Sequence, residues 1–535
     1  MSLFVAVYIL AALNLTFWND AFHVFGGLHG AFYMFAAAIM FLVFAGMIVF
    51  SAKYLIKPFL VFLIIAGAIS SYYTDFFGVV IDKEMIRNAV VTTPEEASHL
   101  ITATFIMHVI LYGVLPSALV LATRIKHRPL LSKVFVNLAA IVVCLSLCAG
   151  LAFANYSGLS SNIREHRDMM AKLTPFAPIT SAIALVVSSY REIGLVRAPL
   201  GADAKIGPVI AKAQKPVVTI IVAGETARAM NFSLNGYQRD TNPELEARGV
   251  TNFTQTTSCG TATAVSLPCM FSVYGKRNYS DRKARSTDTL MDVLRRAGLD
   301  AYWWDNNTGS KGVADLISFA SVTKQKNSPY CKQGECLDDI FLDKLDSKLA
   351  GITRNTVIVL HQLGSHGPAY FMRYPGEFRR FVPDCRTPQL SECSREEIVN
   401  AYDNTILYTD HNLAAVIDLL KKHQGRVDGA MIYMSDHGES LGENGLFLHG
   451  APYMFAPAEQ THVPFIAWFS DGYAQLTKLD RYCLAKYASA ATSHDNLFHT
   501  VLGMMNVETK VYNPDLDVFA ACRSVATDSQ FGVGS

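Results

Sequence analysis

The sequence predicts an α-helical membrane domain of five transmembrane helices, followed by an α/β domain built on a mostly parallel sheet. Apolar runs dominate the chain to about Asn155, and an ordinary globular composition begins near Lys205. After Pro216, short β-branched runs alternate with helical patterns. Of 535 residues, 51% are hydrophobic and 17% charged, rich in apolar residues for a soluble enzyme. The net charge of +1 offers no basic field for nucleic acid, and no such partner is expected.

Five apolar stretches have the length of membrane spans: residues 3–18, 31–50, 58–73, 103–123 and 134–153. The expected organisation is a membrane domain over 1–155, a connector over 156–215 and a catalytic domain over 216–535. Loop charges orient the chain. Lys53 and Lys57 follow the second span, and Arg124, Lys126, Arg128 and Lys133 follow the fourth. The alternate loops lack that basic bias, so the N-terminus is expected in the cytoplasm and everything after Asn155 outside it. The first stretch has no basic n-region or small-residue cleavage site, so a cleavable signal peptide is not expected.

Cysteines point to the same side. Cys144 and Cys148 lie four apart in the last span and read as small apolar packing residues. The other eight fall in the soluble part, with close pairs at Cys259/Cys269, Cys331/Cys336 and Cys385/Cys393. Such spacing in an exported domain reads as disulfides, with Cys483 and Cys522 left over as a further pair. Zinc coordination by these thiols competes, but no CxxC pattern repeats.

The connector reads as polar and helical over 161–172, lying at the membrane surface, then as a mixed stretch punctuated by Pro175, Pro178, Pro199 and Pro208. Beyond it, strands are expected at 217–222, 301–304, 356–360, 430–434 and 463–468. Leu290, Val293, Leu294 and Ala297 share a helical face stopped by Gly298. Ser394 and Glu397 form a capping box that opens a longer helix reaching Leu420. Ligands of such sheets bind outside the carboxyl ends of the strands.

Three of those ends carry chemistry. Glu225 follows the first strand, His361 and His366 follow 356–360, and Asp436, His437 and Glu439 follow 430–434, with His449 twelve residues beyond His437. Carboxylate and imidazole suit zinc or manganese. A salt-bridged turn explains one Asp-His pair equally well, whereas three such loops at successive strand ends are hard to obtain by chance. A nucleophile is then needed. The loop 259–269 is small-residue-rich and bracketed by cysteines, but composition alone leaves Thr261, Thr263 and Ser266 open. A free hydroxyl needs a base or a metal to become nucleophilic.

Five spans followed by CGTATAVSLPCM, WWDNNTGSKGV, HQLGSHGPAY and SDHGESLGENGLFLHG resemble the lipid A phosphoethanolamine transferases, which include the mobile colistin-resistance enzymes. The resemblance covers nearly the whole chain. It implies an alkaline phosphatase/sulfatase-like fold on an inner-membrane anchor, acting in the periplasm and giving polymyxin resistance. The implied nucleophile is Thr263, and the implied zinc ligands are Glu225, Asp436, His437 and the Thr263 oxygen. His366 and His449 match histidines near the phosphoryl group or a second metal, and Glu439 a residue supporting the ligands. Asn307, Thr308 and Lys311 match the substrate pocket. Lys311, His366 and His449 are expected to neutralise phosphoryl charge and assist proton transfer.

Asn88, Thr92 and Glu96 match residues proposed to hold the ethanolamine head group. A local rival exists for Glu96, because 93–96 reads as a capping box with Pro94 at the first helical position. The implied donor is phosphatidylethanolamine, the acceptor is lipid A or another lipopolysaccharide group, and the protein is expected as a monomer. A phosphoglycerol transferase using manganese is the nearest alternative. A sulfatase is disfavoured by the absence of a Cys-x-Pro-x-Arg motif. A sensory ectodomain leaves the joint presence of nucleophile and metal residues unexplained.

Overall fold

The computed structural model describes residues 1–126, 129–154, 162–163, 166–192, 194–323, 328–332 and 334–523. The chain divides into two compact units: Met1–Val90, Leu100–Tyr190 and Gly442–Phe447 form one, and Val91–His99, Arg191–Leu441 and Leu448–Ser535 the other.

The first unit is helical. Its described helices are α1 (Ser2–Ala12), α2 (Leu15–Val24), α3 (Gly30–Val49), α4 (Ile56–Phe77), α5 (Lys83–Val91, all but its last residue), α7 (Ala103–Ala122), α8 (Leu130–Ala154) and most of α9 (Phe176–Glu192). Four of these are long and apolar enough to cross a membrane: α3, α4, α7 and α8. Leu131, Phe135 and Phe153 on α8 are 77%, 72% and 84% exposed, which suits a lipid solvent rather than water.

The expected first span, 3–18, is not one helix. α1 and α2 bend by 71° at Leu13 and Asn14. The cause is local competition for backbone groups. Asn14 Nδ2 donates to Ile9 O at 2.9 Å and to Thr174 O at 2.8 Å, and its Oδ1 accepts from Thr174 N at 2.8 Å. The Thr174 hydroxyl donates to Leu13 O. The buried break is thereby satisfied, and the pair counts as a fifth span only when taken together.

The connector also differs from expectation. Residues 161, 164 and 165 of the expected 161–172 helix lie outside the described residues, and Arg167–Ala171 is a single short helix. The long element is α9, 17 residues starting directly after Pro175. Its Pro178 sits in the first turn, where a missing N–H costs no helical hydrogen bond.

The second unit holds an eight-stranded sheet. Its strands are β1 (Val217–Gly224), β2 (Thr251–Thr257), β3 (Asp300–Asp305), β4 (Ser318–Ser321), β5 (Thr356–His361), β6 (Asp428–Ser435), β7 (His462–Phe469) and β8 (Ala491–Ser493). They run in the order β8-β2-β7-β6-β1-β5-β3-β4. Only β7 is antiparallel to its neighbours, β2 and β6. β1, β5 and β6 are buried along their whole length, as their unbroken apolar runs require of strands covered on both faces.

Helices α10 (Thr263–Met270), α11 (Leu290–Arg296) and α12 (Arg395–Lys422) belong to this unit. α12 opens with the expected box: Ser394 Oγ accepts from Glu397 N at 3.3 Å, and Glu397 Oε2 accepts from Ser394 N at 2.7 Å. The disulfides are Cys259–Cys269, Cys331–Cys336, Cys385–Cys393 and Cys483–Cys522, while Cys144 and Cys148 are free. The short helix α6 (Pro94–Leu100) follows α5 in the chain, and its residues up to His99 group with the soluble unit.

Candidate active site

Adjacent parallel strands β1 and β6 deliver the central group. In register, Gly224 pairs with Ser435, so Glu225 and the Asp436-His437 pair leave the sheet side by side. Ligand atoms of Glu225, Asp436 and His437 all lie within 4.8 Å of one another, and all three residues are buried. His437 Nε2 is 3.2 Å from Glu225 Oε1 and 3.4 Å from Asp436 Oδ2. His437 Nδ1 faces Gly438 O at 2.9 Å, which turns Nε2 toward the carboxylates.

Each carboxylate is held from behind. Asp436 Oδ1 accepts from Thr226 N at 3.2 Å and His437 N at 2.7 Å. Glu225 Oε1 accepts from the Thr226 hydroxyl at 2.6 Å, and Oε2 from Asn307 Nδ2 at 2.8 Å. Thr226 adopts φ 61°, a costly conformation for a β-branched residue. Asp436 Oδ2 is buried without a hydrogen-bond partner. Burial and the Glu225 charge push the Asp436 carboxyl up from its usual range. Burial opposes ionisation of Glu225 too, but the hydrogen bond and charge of His437 hold that carboxyl well below the usual range. Two buried carboxylates, one imidazole and an orphaned carboxylate oxygen are a donor set that fits a divalent cation.

Thr263 is the first residue of α10, and its hydroxyl enters this group. Oγ1 lies 3.1 and 3.0 Å from the two Glu225 oxygens and 3.4 Å from His437 Nε2. The other two hydroxyls of the loop are committed elsewhere. Thr261 donates to Ala451 O at 2.6 Å, and Ser266 donates to Asp436 O. The Cys259–Cys269 disulfide ties α10 back to the end of β2, which fixes the helix start.

The family model described as Sulfatase matches residues 218–507, and that described as Phosphoethanolamine transferase EptA/EptB matches residues 37–190. The chain is 37% identical over 538 aligned residues to phosphoethanolamine transferase EptA of Escherichia coli strain K12, covering 98% of this chain and 97% of that one. The chain belongs to the phosphoethanolamine transferase family. Phosphatidylethanolamine transferase Mcr-1 of Escherichia coli is also 37% identical, with 94% of each chain covered. Among solved structures, the integral membrane protein lipooligosaccharide phosphoethanolamine transferase A from Neisseria meningitidis superposes with a TM-score of 0.93 at 34% identity, covering 98% of both chains. The fold is therefore a helical membrane part joined to a sulfatase-like α/β unit.

Around the central group, this transferase gathers basic side chains. His366 Nε2 pairs with Glu96 Oε1 at 2.9 Å, leaving Nδ1 buried without a hydrogen bond. Burial lowers the His366 pKa, but the Glu96 carboxylate overcomes this and raises it to about 9. The His449 ring centroid lies 4.4 Å from that of His437, with the rings tilted by 39°, and 5.3 Å from that of His366. Its Nδ1 faces Glu439 Oε2 at 2.8 Å. Lys311, at φ 49°, donates to Thr308 O at 2.9 Å; burial lowers its ammonium pKa against the opposing charge of Glu225.

The Asn307 amide nitrogen donates to Glu225 Oε2 and to Gln362 O, at 2.8 Å each. Asn88 lies on α5 in the membrane unit, and Thr92 between α5 and α6 in the soluble unit. Glu96 is only half of a capping box: its N–H donates to Thr93 Oγ1 at 3.3 Å, while its carboxylate reaches His366. The sequence did not single out Tyr370, whose hydroxyl donates to Glu439 Oε1 at 2.5 Å. It also passed over Asp305. One Asp305 oxygen takes the amides of Asn307 and Gly309 at 3.0 Å each, and the other takes Trp303 Nε1 at 2.9 Å and His361 Nδ1 at 2.8 Å. Both stand inside the motifs HQLGSHGPAY and WWDNNTGSKGV, but neither spacing nor residue type marked them out there.

Proposed function

We propose that this transferase moves phosphoethanolamine from phosphatidylethanolamine to lipid A, or to another lipopolysaccharide group, through a phospho-threonine at Thr263. The observation that carries this reading is the Thr263 hydroxyl lying 3.0–3.4 Å from Glu225 and His437 inside a two-carboxylate, one-imidazole cluster. Glu225, Asp436, His437 and the Thr263 oxygen would hold zinc, with manganese as the alternative and a second metal near His366 and His449 left open. Zinc bound there would supply Lewis acidity, favouring ionisation of a hydroxyl and offsetting phosphoryl charge.

The chain's own residues supply the rest. In the first displacement, a bond forms between Thr263 Oγ1 and phosphorus, and the phosphorus–oxygen bond to diacylglycerol breaks. His449, with Nδ1 held by Glu439, uses Nε2 to protonate the departing glycerol oxygen. In the second displacement, an acceptor oxygen attacks the same phosphorus and gives its proton to His449 Nε2, while the phosphorus–Oγ1 bond breaks and Thr263 recovers from solvent the proton it released in the first displacement. The buried His366 imidazolium and Lys311 ammonium offset charge on the phosphoryl oxygens. Glu96, with Thr92, receives the ammonium of the head group. The basic cytoplasmic loops support an N-terminus inside the cell and a catalytic unit in the periplasm.

Mass spectrometry of lipid A from cells with and without the protein tests the reading. The expected result is an added phosphoethanolamine and a raised polymyxin tolerance. Unmodified lipid A, with the group found on another glycan or not at all, refutes the acceptor assignment.

A further inference from the structure

The catalytic loop after β5 is fastened to α6 at two points. The first is the Glu96–His366 pair at 2.9 Å. The second runs through two charges that no motif contains, Arg373 buried and Glu335 partly so. Arg373 is 2% exposed; its Nε donates to the backbone oxygen of His366 at 2.8 Å, and its two terminal nitrogens donate to Glu335 at 2.7 and 3.0 Å. The same Glu335 Oε2 lies 3.1 Å from His99 Nε2. Glu96 and His99 are three residues apart on α6 and so share its face. The contacts close into a ring: Glu96, His366, Arg373, Glu335, His99 and back along the helix.

The hairpin that carries Glu335 is built for this approach. Residues 331–336 are closed by the Cys331–Cys336 disulfide, with Lys332 paired to Glu335 across the turn. Gly334 has φ 88°, a left-handed conformation that favours glycine, and a Cβ there would fall 2.5 Å from Glu95 Cγ, so the Glu95 side chain on α6 would have to move. Burial opposes ionisation of Glu335, yet the His99 hydrogen bond and the Arg373 guanidinium hold its carboxyl well below the usual range. A planar guanidinium that binds one carboxylate with two nitrogens and a carbonyl with the third has its orientation fixed.

We infer that Glu335 and Arg373, with His99, are positioning residues that lock α6 onto the His366 loop and thereby hold Glu96 where the donor's ammonium group binds. The inference rests on phosphatidylethanolamine being the donor. Glu96 meets His366 through Oε1, so the position of its carboxylate follows the position of α6 against the His366 loop. The lock acts on binding of the head group, not on the metal ligands or on Thr263.

The test uses the full-length protein with vesicles of phosphatidylethanolamine, comparing Glu335→Gln, Arg373→Lys, their double variant and His99→Gln, each checked for parental metal content. The expected result is a KM for the donor raised about tenfold in Glu335→Gln and Arg373→Lys, with kcat within about threefold of the parent. The double variant is expected to be no worse than the worse single one, because residues that act as a unit are not additive. His99→Gln, which removes one end of the ring, is expected to raise KM about threefold and keeps the test alive if Arg373→Lys fails to fold. Hydrogen exchange of residues 94–99 should rise in Glu335→Gln whatever the donor proves to be. Unchanged exchange, additive effects, or a fall in kcat at constant KM would overturn the inference. A parent protein that cannot use phosphatidylethanolamine refutes the proposed donor and is told apart from failure of the lock by the exchange result.

Discussion

His449 Nδ1 lies 2.8 Å from Glu439 Oε2, and this contact decides which imidazole nitrogen is turned away from the carboxylate. With Nδ1–H donated to a buried carboxylate, Nε2 is the nitrogen left for proton exchange. The Tyr370 hydroxyl on the other Glu439 oxygen, at 2.5 Å, keeps that carboxylate from turning.

Glu439→Gln is therefore expected to lower kcat about 100-fold while leaving metal content intact. Tyr370→Phe should act more mildly on rate and cost roughly 1–3 kcal/mol of stability, because it strips a buried carboxylate of one donor. Rate assays and thermal melts on both variants check this; a Glu439→Gln enzyme as fast as the parent would remove the proton-transfer role.

Replacement of Thr263 by Ala is expected to lower transfer at least about 1000-fold with folding and metal retained. Thr261→Ala is the control, since its hydroxyl is already bonded to Ala451 O. A mass increase trapped on the Thr263 peptide during turnover would identify the intermediate. Full activity of Thr263→Ala would rule out this nucleophile.

The metal group should be separable from the fold of the sheet. An Asp436→Ala/His437→Ala double variant is expected to lose tightly bound metal as measured by plasma mass spectrometry, with activity falling in parallel. Unchanged metal content would show that the cation is held elsewhere.

The Glu96–His366 pair makes a pH-dependent contribution with a defined sign. Burial lowers the His366 pKa, but Glu96 raises it from 6.5 to about 9, so its share of stability is complete below about 6.5 and is lost as pH rises through 9. Burial raises the Glu96 pKa, but His366 lowers it below 4.5, so its share is present above 4.5 and is lost as pH falls through the lowered value. The melting difference between the parent and Glu96→Gln should be largest between about pH 4.5 and 6.5 and shrink toward pH 9, with an amplitude of about 1–3 kcal/mol. A difference that grows above pH 7 would contradict the pairing.

Much of this was legible in the chain because burial writes itself into composition. β1, β5 and β6 are buried on both faces, so their runs are continuously apolar. β2 is not: Thr251–Thr257 is polar and only partly buried, and nothing in its pattern announces a strand. The strand-end rule found Glu225, Asp436 and His437, because parallel neighbours deliver their ends to one edge. It could not find Glu335 or Arg373, since a contact that closes only after folding leaves no local spacing. The bend at Asn14 escaped for the same reason. Its partner, Thr174, lies 160 residues away, so an apolar run with one amide looked like a straight helix.

The assignment of Val91–His99 to the soluble unit bears on how this protein can be cut and recombined. A fragment beginning after α9 would carry the sheet, α10 and all four disulfides, and would pass as the complete catalytic part. It would nonetheless lack Glu95, Glu96 and His99, leaving Glu335 and His366 each short of a partner the intact chain supplies. Inhibitors selected against such a fragment would meet a His366 loop stripped of the helix that the intact chain packs beside it. Chimeras joined at a single crossover would likewise inherit α6 from one parent and its hairpin from the other.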